Sequence, residues 1–292
     1  MSDIVYLNGE FLPRSAAHVS VDDRGFLFGD GVYEMTPAYG GRFFRLDRHL
    51  DRLRFGLGEL SISFDVSKVE ALHHELLERN GLGDVEMSAV YLQVTRGEAP
   101  RAHHFPPEGT RATAYAFAKG FQRPSRADWE RGVAAVTYPD RRWGRVDIKT
   151  LQLLPNAMAQ QAARTAGVSD AILVRDGIAL EGALNNLFVV FGRSVRTHPT
   201  SNQILPGITR NAVLEIAREE GFEVEERATP IEALREATEV FLTGTTTEVR
   251  PIVRIDDRPV GDGRVGTVTA ALSNGFLARV SEECGVTSAA LA

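Results

Sequence analysis

Lysine is scarce in this chain. Of its 33 cationic side chains, three are lysines (Lys68, Lys119 and Lys149) and all the others are arginines. Lys149 stands in Arg145-Val146-Asp147-Ile148-Lys149-Thr150-Leu151-Gln152-Leu153-Leu154, a stretch rich in apolar residues. A guanidinium stays protonated and cannot attack a carbonyl, whereas a deprotonated ε-amine can. Schiff-base chemistry depends on such an amine. On position alone, a solvated lysine at a strand–helix junction is the commoner case. Other stretches decide between the two.

Glu181 closes the apolar run Ile178-Ala179-Leu180. A carboxylate at the end of a buried strand needs a cation or a hydrogen-bonding partner. A protonated ring nitrogen would serve, and holding that proton makes a pyridine an electron sink; a hairpin-turn glutamate in water is the plainer alternative. Leu205-Pro206-Gly207-Ile208-Thr209-Arg210 runs from a loop into a helix. There the N–H groups of Ile208 and Thr209 and the Thr209 hydroxyl make an anion site, unless Thr209 is only an N-cap. Thr243-Gly244-Thr245-Thr246-Thr247-Glu248 gathers four hydroxyls around a glycine, which suits a phosphate cradle or, more simply, a threonine-rich turn. Arg101 and His103, with Ala102 between them, project to the same side of an extended loop. Such a pair could grip a carboxylate; a solvated loop cation is the ordinary reading. His18, His49, His73 and His74 read as helix-surface or turn residues, and no carboxylate cluster at ligand spacing accompanies them, so no metal site is expected. Taken in order, an amine, a ring-nitrogen carboxylate, a helix-terminal phosphate site and a hydroxyl-rich loop describe one ligand, pyridoxal phosphate.

Those residues need a scaffold, and the composition supplies one. At 292 residues, 43% hydrophobic and 25% charged, the chain is long enough for two ordinary soluble domains. A net charge of -6 argues against nucleic acid or an anionic membrane as the main partner. With only Cys284, no intrachain disulfide and no cysteine-based zinc site can form. The N-terminal residues lack the pattern of a secretion signal, and no apolar run approaches the roughly 18 residues of a membrane span. A cytoplasmic protein is expected.

Asn8-Gly9 between 4–7 and 10–12 signals a hairpin. The glycine-rich stretch 25–31 is followed by expected strands at 32–39 and 42–46 rather than by a helix. Helical spacing predicts helices over 46–60 and 66–81, then strands at 86–95 and 112–118. Phe121-Gln122-Arg123-Pro124-Ser125-Arg126 reads as a linker between an N-terminal domain, 1–120, and a larger C-terminal domain, 127–292. In the latter, strands are expected at 132–138, 170–175, 178–181, 186–191, 195–197, 239–243 and 252–255. Helices are expected at 151–166, 209–220, 231–237 and 265–283. This is a mixed α/β fold with two hairpin-rich sheets, not a doubly wound parallel one.

The sequence resembles the fold-type IV pyridoxal-phosphate aminotransferases, and within them the D-amino acid aminotransferase branch. The resemblance runs along nearly the whole chain. It is carried by Asp23-Arg24-Gly25 with Phe28-Gly29-Asp30-Gly31-Val32-Tyr33-Glu34, by His49-Leu50-Asp51-Arg52-Leu53, and by Gln93-Val94-Thr95-Arg96-Gly97 leading to Pro100-Arg101-Ala102-His103. Asp147-Ile148-Lys149-Thr150-Leu151, Gly207-Ile208-Thr209-Arg210 and Thr245-Thr246-Thr247-Glu248 complete it. The resemblance implies a ping-pong transaminase in which Lys149 forms the Schiff base and carries the proton, and Glu181 pairs with the pyridine nitrogen. It implies that Arg52, Ile208, Thr209, Thr245 and Thr246 hold the phosphate, and that Tyr33, Arg101 and His103 grip the substrate carboxylate. It also implies a homodimer, with the Arg-x-His loop reaching the partner's site. One departure stands out. Ala183-Leu184-Asn185 occupy the place where this branch carries serines, so hydroxyl contacts there are lost. The effect is expected in substrate range and rate more than in cofactor binding.

Three relatives in the same superfamily compete with this expectation: branched-chain L-amino acid transaminases, (R)-amine transaminases and aminodeoxychorismate lyases. The Arg101–His103 pair argues against them. A cofactor-free Schiff-base aldolase would not need the two phosphate stretches, and a binding protein without turnover would not need both Lys149 and Glu181.

Overall fold

A computed structural model describes residues 3–287 of the chain. The outer ends of the two expected domains, 1–2 and 288–292, lie outside the described residues. These divide into two compact units, one of 3–122, 148–152 and 282–287, the other of 123–147 and 153–281.

The first unit is built on one antiparallel sheet. Asn8 and Gly9 both take positive φ, +53° and +109°, and so turn β1 (Ile4–Leu7) onto β2 (Glu10–Pro13) in a two-residue hairpin. A helix then appears where none is expected, α1 (Arg24–Phe28). It is too short to show periodicity and is made by its ends: the Asp23 carboxylate accepts from the Gly25 N–H, and Gly29 stops it at φ +64°. β3 (Gly31–Tyr39) and β4 (Arg42–Phe43) follow, then α2 (Leu46–Glu59), α3 (Val69–Arg79), β5 (Met87–Thr95) and β6 (Thr113–Gly120). The strand order is β2-β1-β6-β5-β3-β4. Helix α2 packs on β3, and α3 on β1 and β6, burying Leu50, Leu53, Leu57, Leu72 and Leu76.

The second unit opens with α4 (Arg126–Arg131), another short helix made by its cap, Ser125, which the Asp128 N–H reaches. Next come β7 (Val133–Pro139), α5 (Leu154–Thr165), β8 (Asp170–Arg175), β9 (Ile178–Gly182), β10 (Asn186–Phe191) and β11 (Ser194–Thr197). Helix α6 (Ile208–Glu219), β12 (Glu223–Glu226), β13 (Thr229–Pro230), a 3-10 turn at Ile231–Arg235, β14 (Glu239–Gly244), β15 (Glu248–Ile255), β16 (Arg258–Pro259) and α7 (Thr267–Cys284) complete the described elements. The sheet runs β12-β11-β10-β14-β15-β7-β8-β9-β13. Because Asn186 on β10 also pairs with Glu181 on β9, six of these strands close into a ring. Its interior is apolar, with Ile172, Leu187, Val189, Val240, Leu242 and Ile252 all buried. β12 has no counterpart among the expected strands; four residues of Glu-Val-Glu-Glu carry too little apolar alternation to announce a strand.

One segment matters most for function. The expected helix over 151–166 begins only at Leu154, because the residues before it are used elsewhere. Tyr33 N–H donates to the Lys149 carbonyl (2.9 Å), Leu151 N–H donates to the Gly31 carbonyl (3.1 Å), and Val32 bridges Thr150. Residues 148–152 thus lie against β3, and these backbone bonds fix where Lys149 starts. Close approach here requires Gly31. A Cβ on it would lie 2.6 Å from the Val94 carbonyl oxygen and 2.9 Å from Leu151 Cδ1. Gly31→Ala should therefore destabilise the protein by about 1–3 kcal/mol, as overpacking does, and accelerate amide exchange at Leu151. An unchanged melting temperature together with unchanged exchange would show that this contact does not hold the segment.

Candidate active site

Successive residues of a strand face opposite sides, and β3 uses this to separate two tasks. Tyr33 faces an aromatic side, stacked on Tyr91 with ring centroids 5.5 Å apart, and Tyr91 stacks on Phe117 at 5.1 Å. The half-buried Lys149 lies over Tyr33, with Nζ 4.1 Å from the ring centroid. Lys149 and Tyr33 are thus held together by backbone and side chain alike.

Glu34 faces the helices. Its carboxylate is buried, and Arg52 on α2 clamps it through Nε to Oε1 (2.8 Å) and Nη2 to Oε2 (2.9 Å). His49, one turn earlier, lies 2.8 Å from Oε2 through Nδ1, so the ring proton belongs on Nδ1, donated to the carboxylate. Burial alone would raise the Glu34 carboxyl, but Arg52 and then His49 hold it well below the ordinary glutamate range. Burial also lowers His49, against the pull of Glu34, so its ring is neutral at pH 7. His49 and His73 are therefore not surface residues: both are buried, and burial pushes His73 down to about 3. His18 and His74 are exposed.

The loop carrying Arg101 and His103 is tied down by arginines. Buried Arg24 donates through Nε to Asp30 (2.7 Å) and through Nη1 to the Ala102 carbonyl (2.8 Å). Arg96 donates to both Asp30 oxygens (2.8 and 3.0 Å) and to the Leu60 carbonyl (2.7 Å), and its guanidinium lies 3.5 Å from the centroid of Phe105. Arg101 and His103, both exposed, converge on Phe28 at 5.3 and 6.0 Å from its centroid. Gly25 is there for packing: a Cβ on it would collide with Thr95.

In the second unit Glu181 is buried at the β9–β10 pairing. Oε1 accepts from Asn186 Nδ2 (2.7 Å) and from the Leu205 N–H (2.9 Å), and Oε2 accepts from Arg142 Nη1. Burial raises the carboxyl above its ordinary value, opposed first by Arg142. Arg142 is itself oriented by Asp140, which accepts from its Nε (2.9 Å) and Nη2 (3.0 Å). Burial would raise the Asp140 carboxyl, but Arg142 and Arg175 bring it below the ordinary range. Glu181 is not a solvated turn residue.

Helix α6 starts at Ile208 with Gly207 as its N-cap and no side-chain cap, so Thr209 is a buried residue of the first turn and not the cap. Its first N–H groups project from an uncapped terminus, the arrangement that favours an anion. Thr245, Thr246 and Thr247 form the turn between β14 and β15, closed by Glu248 at φ +54°. Arg123, from the stretch read as a linker, pins that Glu248 carboxylate at 3.0 Å. Thr243 is different: it is a buried strand residue and lies outside the turn.

Within the first unit, Lys149 is thus brought to Tyr33, and Arg101 and His103 to Phe28. Within the second, Glu181 and the cap of α6 meet at Asn186, whose Oδ1 occupies the space beside Gly207. Sequence reasoning missed Arg142 and Asn186 as partners of Glu181, Asp140 as the partner of Arg142, and Glu34 as the shared partner of Arg52 and His49. Glu34, His49 and Arg52 had a signal, since a charged strand residue and an i, i+3 His/Arg pair on a leucine-rich helix invite pairing. Arg142 had none, being one arginine among several in 141–145.

Comparisons with known proteins place the chain in a family. Residues 31–255 match the family described as amino-transferase class IV. The chain is 41% identical to a D-alanine aminotransferase of Bacillus licheniformis over 283 residues, 95% of this chain and 99% of that protein. It is 39% identical to one of Staphylococcus haemolyticus over 274 residues, 93% and 96% of the two chains. Among solved structures, a branched-chain amino acid aminotransferase of Escherichia coli superposes with a TM-score of 0.89 at 26% identity, covering 97% of this chain and 96% of that one.

The Glu34–Arg52 pair makes a pH prediction. Because Glu34 is lowered on folding, the unfolded chain binds its proton first as pH falls, so the pair's stabilisation is complete above the ordinary glutamate value of 4.5 and is lost below it. Glu34→Gln leaves Arg52 buried without its counter-charge and should cost about 3–5 kcal/mol at pH 7. The gap in melting temperature between wild type and variant should narrow as pH drops below 4.5. A gap constant from pH 7 to pH 3 would contradict this account of the pair.

Proposed function

Because the chain belongs to the class IV aminotransferases, we propose that it transfers the amino group of a D-amino acid of the D-alanine type to a 2-oxo acid such as 2-oxoglutarate. The observation that carries the D-specific reading is the convergence of Arg101 and His103 on Phe28, at the tip of a loop anchored by Arg24 and Arg96. A guanidinium and an imidazole presented side by side suit a carboxylate. The two D-alanine aminotransferases it resembles along nearly their whole length support the same reading.

Pyridoxal phosphate, when bound, supplies an aldehyde for amine exchange and a pyridine ring that takes up the electron pair freed at the substrate Cα. The residues present suit it. Lys149 offers the amine and is assigned the carriage of the proton between the substrate Cα and the cofactor C4′. Glu181, a buried carboxylate that accepts from Arg142, Asn186 and the Leu205 N–H, is assigned the ring nitrogen, where a negative charge favours the protonated ring. The phosphate is assigned to Arg52, to Ile208 and Thr209 at the uncapped start of α6, and to Thr245 and Thr246. Tyr33, Arg101 and His103 are assigned the substrate carboxylate.

A homodimer in a cytoplasmic setting completes the reading, with 1–120 and 127–292 as domains joined by 121–126. Exposed apolar side chains support the dimer: Val21, Phe26 and Phe105 in the first unit, Leu154 and Leu184 in the second. No helix among the described residues is long and apolar enough to cross a membrane.

The test is the visible spectrum of the purified protein with D-alanine, L-leucine or an (R)-amine added separately. D-alanine should bleach the cofactor band and L-leucine should spare it, and Lys149→Ala should abolish turnover. Bleaching by L-leucine alone would assign the enzyme to the branched-chain group, and absence of any band after pyridoxal phosphate is supplied would overturn the reading. Arg101→Ala should raise KM for D-alanine roughly 30-fold or more, the loss of a charge-assisted contact, with the cofactor band intact. Unchanged kinetics would remove Arg101 from the substrate site.

A further inference from the structure

Ala183-Leu184-Asn185, the stretch without hydroxyls near its start, is braced from below. Asp170 opens β8 and is buried, 5% exposed. Its Oδ1 accepts from the N–H groups of Ala171 (2.7 Å) and Ala183 (3.1 Å) and from Gln160 Nε2 (3.0 Å). Its Oδ2 accepts from Asn185 Nδ2 (2.7 Å). All four partners are neutral. Burial raises this carboxyl above its ordinary value, with the hydrogen bonds opposing. A buried carboxylate without a counter-cation is a costly feature for a fold, and here two of its four contacts go to one turn. Asn156 Nδ2 closes the other side, donating to the Ala183 carbonyl (2.7 Å).

The braced amide points at a predicted anion segment. With Nδ2 given to Asp170, Asn185 turns Oδ1 towards Gly244, where a Cβ would collide with it. Gly244 is the last residue of β14 before the Thr245–Thr247 turn. The next residue does the same elsewhere: Asn186 Oδ1 lies where a Cβ on Gly207 would be, and Gly207 caps α6. Two consecutive asparagines therefore seat against the two glycines that precede Thr245 and Ile208. Asn186 also donates to Glu181, so it has a second task. Among the hydrogen bonds described for the Asn185 side chain, the one to Asp170 is its tether.

We propose that Asn185, oriented by the buried Asp170 carboxylate, is a positioning residue that sets the Gly244–Thr246 backbone for the cofactor phosphate, and that Gly244 is glycine to admit it. The inference rests on the function proposed above. It moves the consequence of the altered turn from substrate range to cofactor affinity, and it makes residues 185 and 244 a coupled pair.

Two measurements test it without reading turnover: the equilibrium Kd for pyridoxal phosphate titrated into cofactor-free protein, and amide exchange across 244–247 and 208–211 in that same protein. Asn185→Ala and Gly244→Ala should each weaken pyridoxal phosphate binding about tenfold, through the loss of the seat between Asn185 Oδ1 and Gly244. Each should accelerate exchange at 244–247 while leaving 208–211 unchanged. The double variant should be no weaker than either single one, since each removes the same contact. Asn185→Ser with Gly244→Ser, which divides the same space between two small hydroxyl side chains, should recover most of the affinity. Kd values within twofold of wild type with unchanged exchange, or losses that simply add, would overturn the proposal. A wild-type protein that bound no pyridoxal phosphate would instead overturn the proposed function, and the exchange data would still judge the brace.

Discussion

A carboxylate taken out of water must be given donors, and this fold is arranged around four that were. Asp30, Glu34, Asp170 and Glu181 are largely or wholly buried, and each collects hydrogen bonds from parts of the chain far apart in sequence. Asp30 joins the residue before β3 to Arg24 and Arg96, and through Arg24 fixes the Ala102 carbonyl between Arg101 and His103. Glu34 ties β3 to α2. Glu181 ties β9 to β10 and to the segment entering α6, while Asp170 ties β8 to the turn between β9 and β10. An unpaired buried charge costs several kcal/mol, so each carboxylate forces its donors into one geometry. Precision at the candidate site follows from that constraint.

The distribution of cations obeys the same logic. For Asp30, Glu34 and Glu181 the fixed partner is arginine: Arg24 and Arg96, Arg52, and Arg142. A planar guanidinium binds with two edges at once and stays charged throughout the accessible pH range, which is what a structural tie requires. Lys149 lies instead over an aromatic ring, reached through backbone bonds to β3. Fixed charge and exchangeable amine are thus kept apart by residue type, which is why the single lysine in an apolar stretch was informative.

Much of the framework was legible because it rests on local rules. The Asn8-Gly9 hairpin, the leucine spacing of α2 and the β-branched runs of β5, β8 and β10 state their structure within a few residues. Short helices made by caps, such as α1, escaped, since five residues carry no period. The start of α5 escaped for a different reason: Leu151 N–H is used by Gly31, a partner more than a hundred residues away. At the site, the residue types of Lys149, Glu181 and the 101–103 pair were readable, but their supports were not. Arg142 differs from its neighbouring arginines only in where β7 and the loop after it place it. His49 was misread because a polar residue on a helix next to an apolar stripe looks solvated until its strand partner, Glu34, is known.

The altered turn at 183–185 shows why a local substitution cannot be judged locally. Read as side-chain chemistry, exchanging hydroxyls for Ala183, Leu184 and Asn185 removes hydrogen-bonding groups and suggests a poorer site. The fold changes the sense of the exchange. Ala183 and Asn185 both give their nitrogen donors to Asp170, whose carboxylate would otherwise be under-satisfied in the interior. Asn185 is longer than serine by enough to reach Gly244, and only a glycine there leaves room for it. A carboxylate on β8, an amide before β10 and a missing side chain on β14 then form one interlocking unit, and none of the three is interpretable without the other two.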